Sequence, residues 1–402
     1  MRPLYRNSTL KWMGETNIIQ ACQRENWKRV NIRKGFFASI MTQLLSVKPY
    51  QILEVSGGPS ERGFKYGAHH AALIKRLLNS HYEFYITYFN TSRDEALGMA
   101  RKYIQPTQDY SEDIAQELQG VAEGSGLKME EVMMIAAFNE VFYPKLAKAC
   151  TSFAVRNGAT SDGLTYLGQN NDEGIDPWLD GDCTTLTRVV QKDAPNALIY
   201  TYAGAPAMMG INSAGVSLCL NALGFDAPKL GVPMLCVARE VLNQKDLDGA
   251  VDAIERANRA FALNFIMASP EGIANVEANP MKMETTWSDD VLYHANHYIF
   301  CPVEGFSEAK SDDYRKNSTF RCDRMRVLVE ANKGRLNRTV LEGILRDHEN
   351  RPDMICAHVN EKRSKSHWSR TLDGMIYIPE KREAWIAHGN PCESEFIRYG
   401  VA

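Results

Sequence analysis

The apolar positions of this chain change their spacing near residue 150. From Glu61 onward they recur at helical intervals, through Ala71, Leu73, Ile74, Leu77, Leu78, Tyr82 and Tyr85, so a helical stretch is predicted after the break at Ser56-Gly-Gly-Pro59. A short strand over 51–55 precedes it, and further helices are predicted over 92–103, 111–122 and 128–143, with Glu123-Gly-Ser-Gly126 as an interruption. After Cys150 the runs become short, apolar or alternating, and bounded by Gly, Asn or Asp. They predict strands over 151–155, 165–168, 197–202, 216–220, 264–268, 272–276, 374–378 and 384–387. Two helical stretches, about 232–262 and 319–347, divide them. Strands in blocks alternating with helices in blocks predict stacked α and β layers, an α+β fold and not a strict βαβ repeat. Without an internal repeat or a low-complexity linker after residue 49, the expectation is one domain over 49–402, its helical part 49–149 and its β part 150–402.

Residues 1–48 stand apart. They carry nine Lys/Arg against two Glu and no amphipathic period. They are expected to be a basic extension, either disordered or lying ahead of a true start at Met41. Over the whole chain 44% hydrophobic and 24% charged residues give the balance of a soluble globular protein. A net charge of −3 argues against nucleic acid or an anionic membrane as a partner, and no apolar run is long enough for a spanning helix. The expected compartment is therefore cytoplasmic, and a homo-oligomer is left open. The nine cysteines are scattered without a CxxC pair, so neither a disulfide framework nor a zinc site is expected.

Candidate chemistry concentrates where the spacing changes. Cys150, in Lys148-Ala-Cys-Thr-Ser152, stands where helix gives way to strand, a place that can present a thiol at a layer edge. Soon after comes the polar cluster Gly168-Gln-Asn-Asn-Asp172, then Cys219-Leu-Asn221 and His294-Ala-Asn296-His297. His294 and His297 lack a third ligand at supporting spacing, so no metal is expected there. His69-His70 reads as a surface pair. Gly57-Gly58 does not fit a phosphate loop.

Taken in order, these segments resemble the acyl-coenzyme A:6-aminopenicillanic acid acyltransferase family (peptidase family C45), N-terminal-nucleophile hydrolases that are themselves similar to choloylglycine hydrolases. The resemblance also rests on Glu61-Arg-Gly63 with Gly67, Glu123-Gly-Ser-Gly-Leu127, Asp347-His-Glu-Asn350 with Pro352, Ile355-Cys-Ala-His358 and Gly389-Asn-Pro-Cys392. It implies a four-layer αββα sandwich and a precursor that cuts itself between Ala149 and Cys150. The new α-amine would accept the thiol proton near neutral pH, because an α-amine titrates near pH ~8 and a thiol near ~8.5. Cys150 would then form an acyl-enzyme from a small amide or thioester, passing the acyl group to water or an amine. No bound cofactor is implied, and acyl-CoA would enter as a substrate.

The same resemblance suggests the remaining roles. Asp172 would orient the α-amine, and Asn296 would donate to the oxyanion. Asn221 would add a backbone or side-chain donor or serve the structure alone. Gln169 and Asn264 would meet the substrate, Gln169 standing where choloylglycine hydrolases have an arginine. Cys183, in a similar Cys-Thr-Thr setting, follows the 168–172 cluster and is expected to be structural. Two departures from the family stand out. Ala149 replaces the usual glycine, which predicts slower cleavage, and Ala357 replaces an arginine whose contact is lost or supplied by Arg363 or Arg370. Two readings compete with an acyltransferase: a hydrolase of a small N-acyl compound, and an inactive relative that acts as a binding or scaffold protein.

Overall fold

The change of spacing at residue 150 marks the passage from a helical layer into paired sheets. The computed structural model describes residues 49–142, 149–174, 183–225, 229–301, 312–352, 354–363 and 368–401. The basic extension 1–48 lies outside them. After β1 (Leu53–Ser56), helix α1 (Pro59–His69) opens on a proline, whose missing N–H costs nothing in a first turn. α2 (Ala71–Phe89) follows. α3 (Arg93–Arg101) begins with a reciprocal cap in which Ser92 Oγ accepts the Glu95 N–H at 3.3 Å and Glu95 Oε2 accepts the Ser92 N–H at 2.8 Å. Next come α4 (Ile104–Tyr110), α5 (Glu112–Ser125), α6 (Met129–Ala136) and α7 (Phe138–Phe142). The Glu123–Gly126 interruption acts one turn later than its composition suggests: α5 runs through Ser125 and stops at Gly126, where φ is 68°.

Helices α1 and α5 touch backbone to backbone. A Cβ on Gly63 would lie 1.9 Å from the carbonyl oxygen of Glu117, so only glycine fits. Glu117 in the same contact is paired with Arg62 at 3.1 Å and with Arg239 at 3.0 Å. The Glu61-Arg-Gly63 and Glu123-Gly-Ser-Gly motifs therefore serve helix packing.

The strands form two sheets. The first contains β1, β4 (Thr184–Val190), β5 (Ala197–Tyr202), β6 (Met209–Asn212), β7 (Ser217–Ala222), β8 (Leu263–Ala268), β9 (Ile273–Ala278) and β10 (Met283–Ser288), paired in that order. The second runs β11 (Val291–His294), β2 (Ala149–Val155), β3 (Tyr166–Gly174), β12 (Ser369–Ile378), β13 (Glu383–His388), β14 (Ile397–Gly400). The predicted helix over 232–262 is two, α8 (Met234–Val241) and α9 (Leu247–Glu255), and that over 319–347 is α10 (Asp312–Ala331) and α11 (Arg338–Leu345). The caps explain the restarts, because Asp246 accepts the Gly249 N–H at 2.8 Å and Asn337 accepts the Val340 N–H at 3.1 Å.

One apolar core joins the N-terminal helices, α8 and α9 to the first sheet. A second core joins Phe153, Val155 and Tyr166 of the second sheet to Met325, Val329, Leu341 and Leu345 of α10 and α11. The remaining faces of the sheets meet each other, tied by Gln169 Nε2 donating to Leu220 O at 2.8 Å. The order of layers is helices, sheet, sheet, helices, which is the αββα sandwich. Gly168 is fixed by its neighbour, since a Cβ there would lie 2.4 Å from the Phe153 ring. Between Thr371 and Asp373 the β12–β3 register slips at Leu372, so Thr371 opposes Asp172 while Asp373 opposes Asn171. Among the described residues no helix is long and apolar enough to cross a membrane.

Candidate active site

Strands β2 and β3 are antiparallel neighbours, with Ala149 opposite Asp172 and Cys150 opposite Asn171. Side chains of a strand alternate between faces, and this pairing sorts the candidates into two sets. Cys150, Ser152, Gln169, Asn171 and Glu173 point between the sheets. Thr151, Asn170 and Asp172 point toward α10 and α11. The thiol and the Asp172 carboxylate therefore lie on opposite faces, and the Cys150 main-chain nitrogen lies between them.

That nitrogen is held from the side. Strand β11 stops with His294 opposite Ser152, two residues short of Cys150, and the chain turns there. Asn296 Oδ1 accepts the Cys150 N–H at 2.7 Å, taking the place a longer strand would have filled. The Asn296 amide donates to Ala222 O at 3.0 Å. In the uncut chain Asn296 addresses the main-chain nitrogen through Oδ1, while its amide, which carries two N–H groups, places one of them on Ala222 O.

Arg321, on α10, joins the site without any signal in the sequence. Its guanidinium is buried and donates to Cys150 O at 2.6 Å, to Thr151 Oγ1 at 2.7 Å and to Asn296 Oδ1 at 2.9 Å. Two donors on Asn296 Oδ1 and an acceptor at its amide fix which way the side chain points. A basic residue in a charged helix such as DDYRKNSTFRCDRMR offers no cue to burial.

Asn221 has the opposite balance. Its Oδ1 lies 2.7 Å from Ser152 Oγ and accepts from Asn264 Nδ2 at 3.1 Å, while its own Nδ2 is buried with no partner among the described residues. Gln169 is also buried, donating to Leu220 O and leaving Oε1 unpartnered. Asn264 thus reaches the site through Asn221. Cys183 is buried in the core of the first sheet, 3.6 Å from Arg76 Nη2. His294 spans Glu277 Oε1 at 2.7 Å and Ala295 O at 2.8 Å, and His297 Nδ1 lies 2.8 Å from Ser318 Oγ. Both rings belong to the scaffold around Asn296, whose N–H also goes to Ser318 Oγ at 2.7 Å.

The electrostatics are those of a sealed site. Burial pushes the Cys150 thiol up to about 12, with Asp172 and Glu173 adding to it. Burial also raises Asp172 to about 8 against the pull of Arg321 and the hydrogen bond from Thr371 Oγ1 at 2.6 Å. Asp172 Oδ2 is buried without a partner. Behind Asn171, whose Oδ1 is 3.9 Å from Cys150 Sγ, its Nδ2 donates to Tyr200 OH at 3.2 Å. Tyr200 OH in turn donates to Asp373 at 2.5 Å, a buried carboxyl also raised by its burial. Where the family has an arginine, Ala357 contributes main chain only: its N–H goes to Thr371 Oγ1 and its carbonyl accepts from Thr371 N, both at 2.9 Å. Arg370 lies in β12 opposite Glu173.

The αββα layer order is that of the N-terminal-nucleophile hydrolase fold, with Cys150 buried near the start of the inner strand β2. Comparison with known proteins narrows this. The family model for acyl-coenzyme A:6-aminopenicillanic acid acyl-transferase matches residues 159–393, and the chain belongs to that family of enzymes. A curated relative, the 40 kDa form of acyl-coenzyme A:6-aminopenicillanic-acid-acyltransferase from Emericella nidulans, is 24% identical over 349 residues, covering 83% of this chain and 91% of that protein. Among solved structures, penicillin V acylase from Agrobacterium tumefaciens matches at 13% identity and a TM-score of 0.41, over 60% of this chain and 83% of its own. A single-residue variant of conjugated bile acid hydrolase from Clostridium perfringens matches at 13% identity and a TM-score of 0.43, over 62% of this chain and 97% of its own.

Proposed function

We propose that the chain is a self-processing cysteine amidohydrolase or acyltransferase with Cys150 as nucleophile. The observation that carries this reading is the grip on the Cys150 main chain: Asn296 takes its N–H, Arg321 takes its carbonyl, and the unpartnered oxygen of Asp172 lies across the strand pair from Ala149. A packed structural thiol needs no such clamp.

In the precursor, Cys150 Sγ attacks the carbonyl carbon of Ala149. The C–S bond forms, the Ala149–Cys150 C–N bond breaks, and the nitrogen takes the thiol's proton to leave as an amine. Water then cleaves the thioester, freeing the Ala149 carboxylate and the thiol. In turnover the α-amine accepts the thiol proton, and the thiolate attacks an amide or thioester carbonyl. Asn221 Nδ2, the uncommitted buried donor, stabilises the oxyanion. The leaving amine or thiolate takes the proton from the α-ammonium, which Asp172 holds from the far face. The acyl group then passes from Cys150 to water or to an amine. The fragments 1–149 and 150–402 stay together because both contribute to the core beneath the first sheet.

Intact-mass analysis tests this. Two fragments meeting at Ala149/Cys150, and a trapped acyl group on the second, are the expected result. An uncut chain with full activity would remove the self-processing half of the proposal. Offering the acyl-enzyme both water and an amine separates hydrolase from acyltransferase, and the small acyl donor, including acyl-CoA, is named by the trapped mass. An uncut wild-type chain with no more turnover than Cys150→Ala would instead favour a binding or scaffold protein.

A further inference from the structure

Beyond the ends of β12 and β13, four side chains from three segments turn toward one point. His348 lies just past α11, Cys356 and His358 lie on the returning loop, and Cys392 lies in the connection between β13 and β14. One ligand atom from each lies within 4.8 Å of every other. His348 Nε2 is 3.2 Å from His358 Nε2, which is 3.2 Å from Cys392 Sγ and 3.8 Å from Cys356 Sγ.

These spacings can be compared with those a metal imposes. With Zn–N near 2.05 Å and Zn–S near 2.3 Å, a regular tetrahedron separates two nitrogens by about 3.3 Å and a nitrogen from a sulfur by about 3.6 Å. The observed values bracket these within a few tenths of an ångström. Two imidazole nitrogens facing each other, with two sulfurs beside them, is a poor hydrogen-bonding arrangement and a good donor set. A set of two sulfurs and two imidazole nitrogens favours zinc over harder cations.

The surroundings fit as well. Asn390 Nδ2 lies 3.7 Å from Cys356 Sγ and donates to Ala357 O at 2.7 Å. The other ring nitrogen of His358 faces the Glu393 carboxylate at 3.8 Å, close enough for its charge to be felt but beyond hydrogen-bond length. The Cys356 N–H is anchored on Asp347 O at 3.0 Å, and Arg324 holds the Asp347 carboxylate at 2.6 and 3.0 Å. Cys356 is buried while His348 is exposed, which gives an ion a route in.

We propose that His348, Cys356, His358 and Cys392 bind one zinc ion in a closed structural site. Both thiols release their protons on ligation. With four protein ligands the ion has no open position for substrate, so its role is to staple three segments that carry little regular structure of their own. Ala357, between two ligands, exchanges hydrogen bonds with Thr371, and Thr371 Oγ1 donates to Asp172. Metal loading therefore sets the loop against which Asp172 is positioned. No spacing motif announces such a site, because the ligands are spread over His348 to Cys392 without a CxxC pair.

The test is a metal count on the full chain, purified under reducing conditions without chelator. About one zinc per chain is expected, retained in Cys150→Ala and in the exposed-histidine control His69→Ala, and reduced about tenfold or more in Cys356→Ser and Cys392→Ser. Cobalt titration of chelator-treated wild-type protein does not depend on a variant folding. It should give tetrahedral visible bands and thiolate-to-cobalt charge transfer, saturating at one equivalent and displaced by zinc. Wild-type protein with less than a tenth of an equivalent of zinc and no such bands would overturn the proposal. So would a mass two hydrogens light with Cys356 linked to Cys392, or an equal loss of metal in His69→Ala. None of these readouts depends on Cys150 being a nucleophile.

Discussion

The two faces of strands β2 and β3 are built from the same alternating residues but do different work. The face between the sheets holds Cys150, Ser152, Gln169, Asn171 and Glu173, a row that leaves the thiol protonated and one asparagine donor, on facing Asn221, unspent. The face toward α10 and α11 holds Thr151, Asn170 and Asp172 under Arg321, with Arg321 reaching Cys150 O and Asn170 Nδ2 reaching Leu345 O and Ile355 O. The first face carries the thiol and the second the Asp172 carboxyl, with the Cys150 main-chain nitrogen between them. Asp172 therefore lies on the face of the strand pair opposite the thiol, with the main-chain nitrogen that self-cleavage would liberate between them.

Five substitutions, in four tests, break or sharpen this contrast. Cys150→Ala removes the reacting group and should abolish both cleavage and acyl transfer, a loss of about 10⁴-fold or more by product assay, with the uncut mass retained. Asn221→Ala and Asn296→Ala should then separate the faces. The first should mature normally and lose about 10²–10³ in kcat, as expected for a missing oxyanion donor, while the second should fail chiefly in maturation. If Asn296→Ala matured at the normal rate and lost turnover instead, the two assignments would be exchanged.

The third test is a pH profile of the uncut Cys150→Ala chain. Asp172 ionises near 3.8 when unfolded and near 8 when folded, so between these values the folded state holds the extra proton. Its contribution to stability is complete below about pH 4 and is lost as pH rises through about 8. Adding Asp172→Asn should flatten that fall, read as the difference between denaturant midpoints of the two variants. Asp373, also raised by burial, should keep part of the slope in both. The smallest effect belongs to Ala149→Gly, expected to speed maturation about two- to tenfold because glycine lets the peptide distort more freely toward thiol attack, with turnover of the mature enzyme unchanged.

Much of this is legible in the sequence, for identifiable reasons. Strands such as β5 and β8 are apolar runs bounded by turn residues, and their limits fall within a residue of expectation. β4 escapes the pattern because Thr-Thr-Leu-Thr-Arg-Val-Val carries no period that separates two buried faces. β6, β11 and β14 are four residues each, too short for any pattern. In the site, Cys150, Asp172, Asn221 and Asn296 stand out through the ordered resemblance to the family, since locally only Asp172 lies in a run of polar residues and Asn221 sits among apolar ones. Their division of labour does not, since which amide atom faces which partner is decided by Arg321 and Ala222 from distant segments. Several motifs that carry the family resemblance proved structural, as Gly63 against Glu117 illustrates.

The slip at Leu372 has a further consequence. A strand is read in steps of two, and one extra residue changes its frame. Before the slip, Thr371 serves the nitrogen side through Asp172, and after it Asp373 serves the thiol side through Tyr200 and Asn171. A single peptide therefore couples the two halves of the apparatus, and neither can shift without the other. Leu372 O also receives the Gly389 N–H at 2.7 Å, beside Asn390 and Cys392, so the stapled segments are mechanically linked to the same peptide. Deleting Leu372 would not shorten a loop; it would transpose the polar groups of β12 on one side of the gap and leave both halves addressed to the wrong layer.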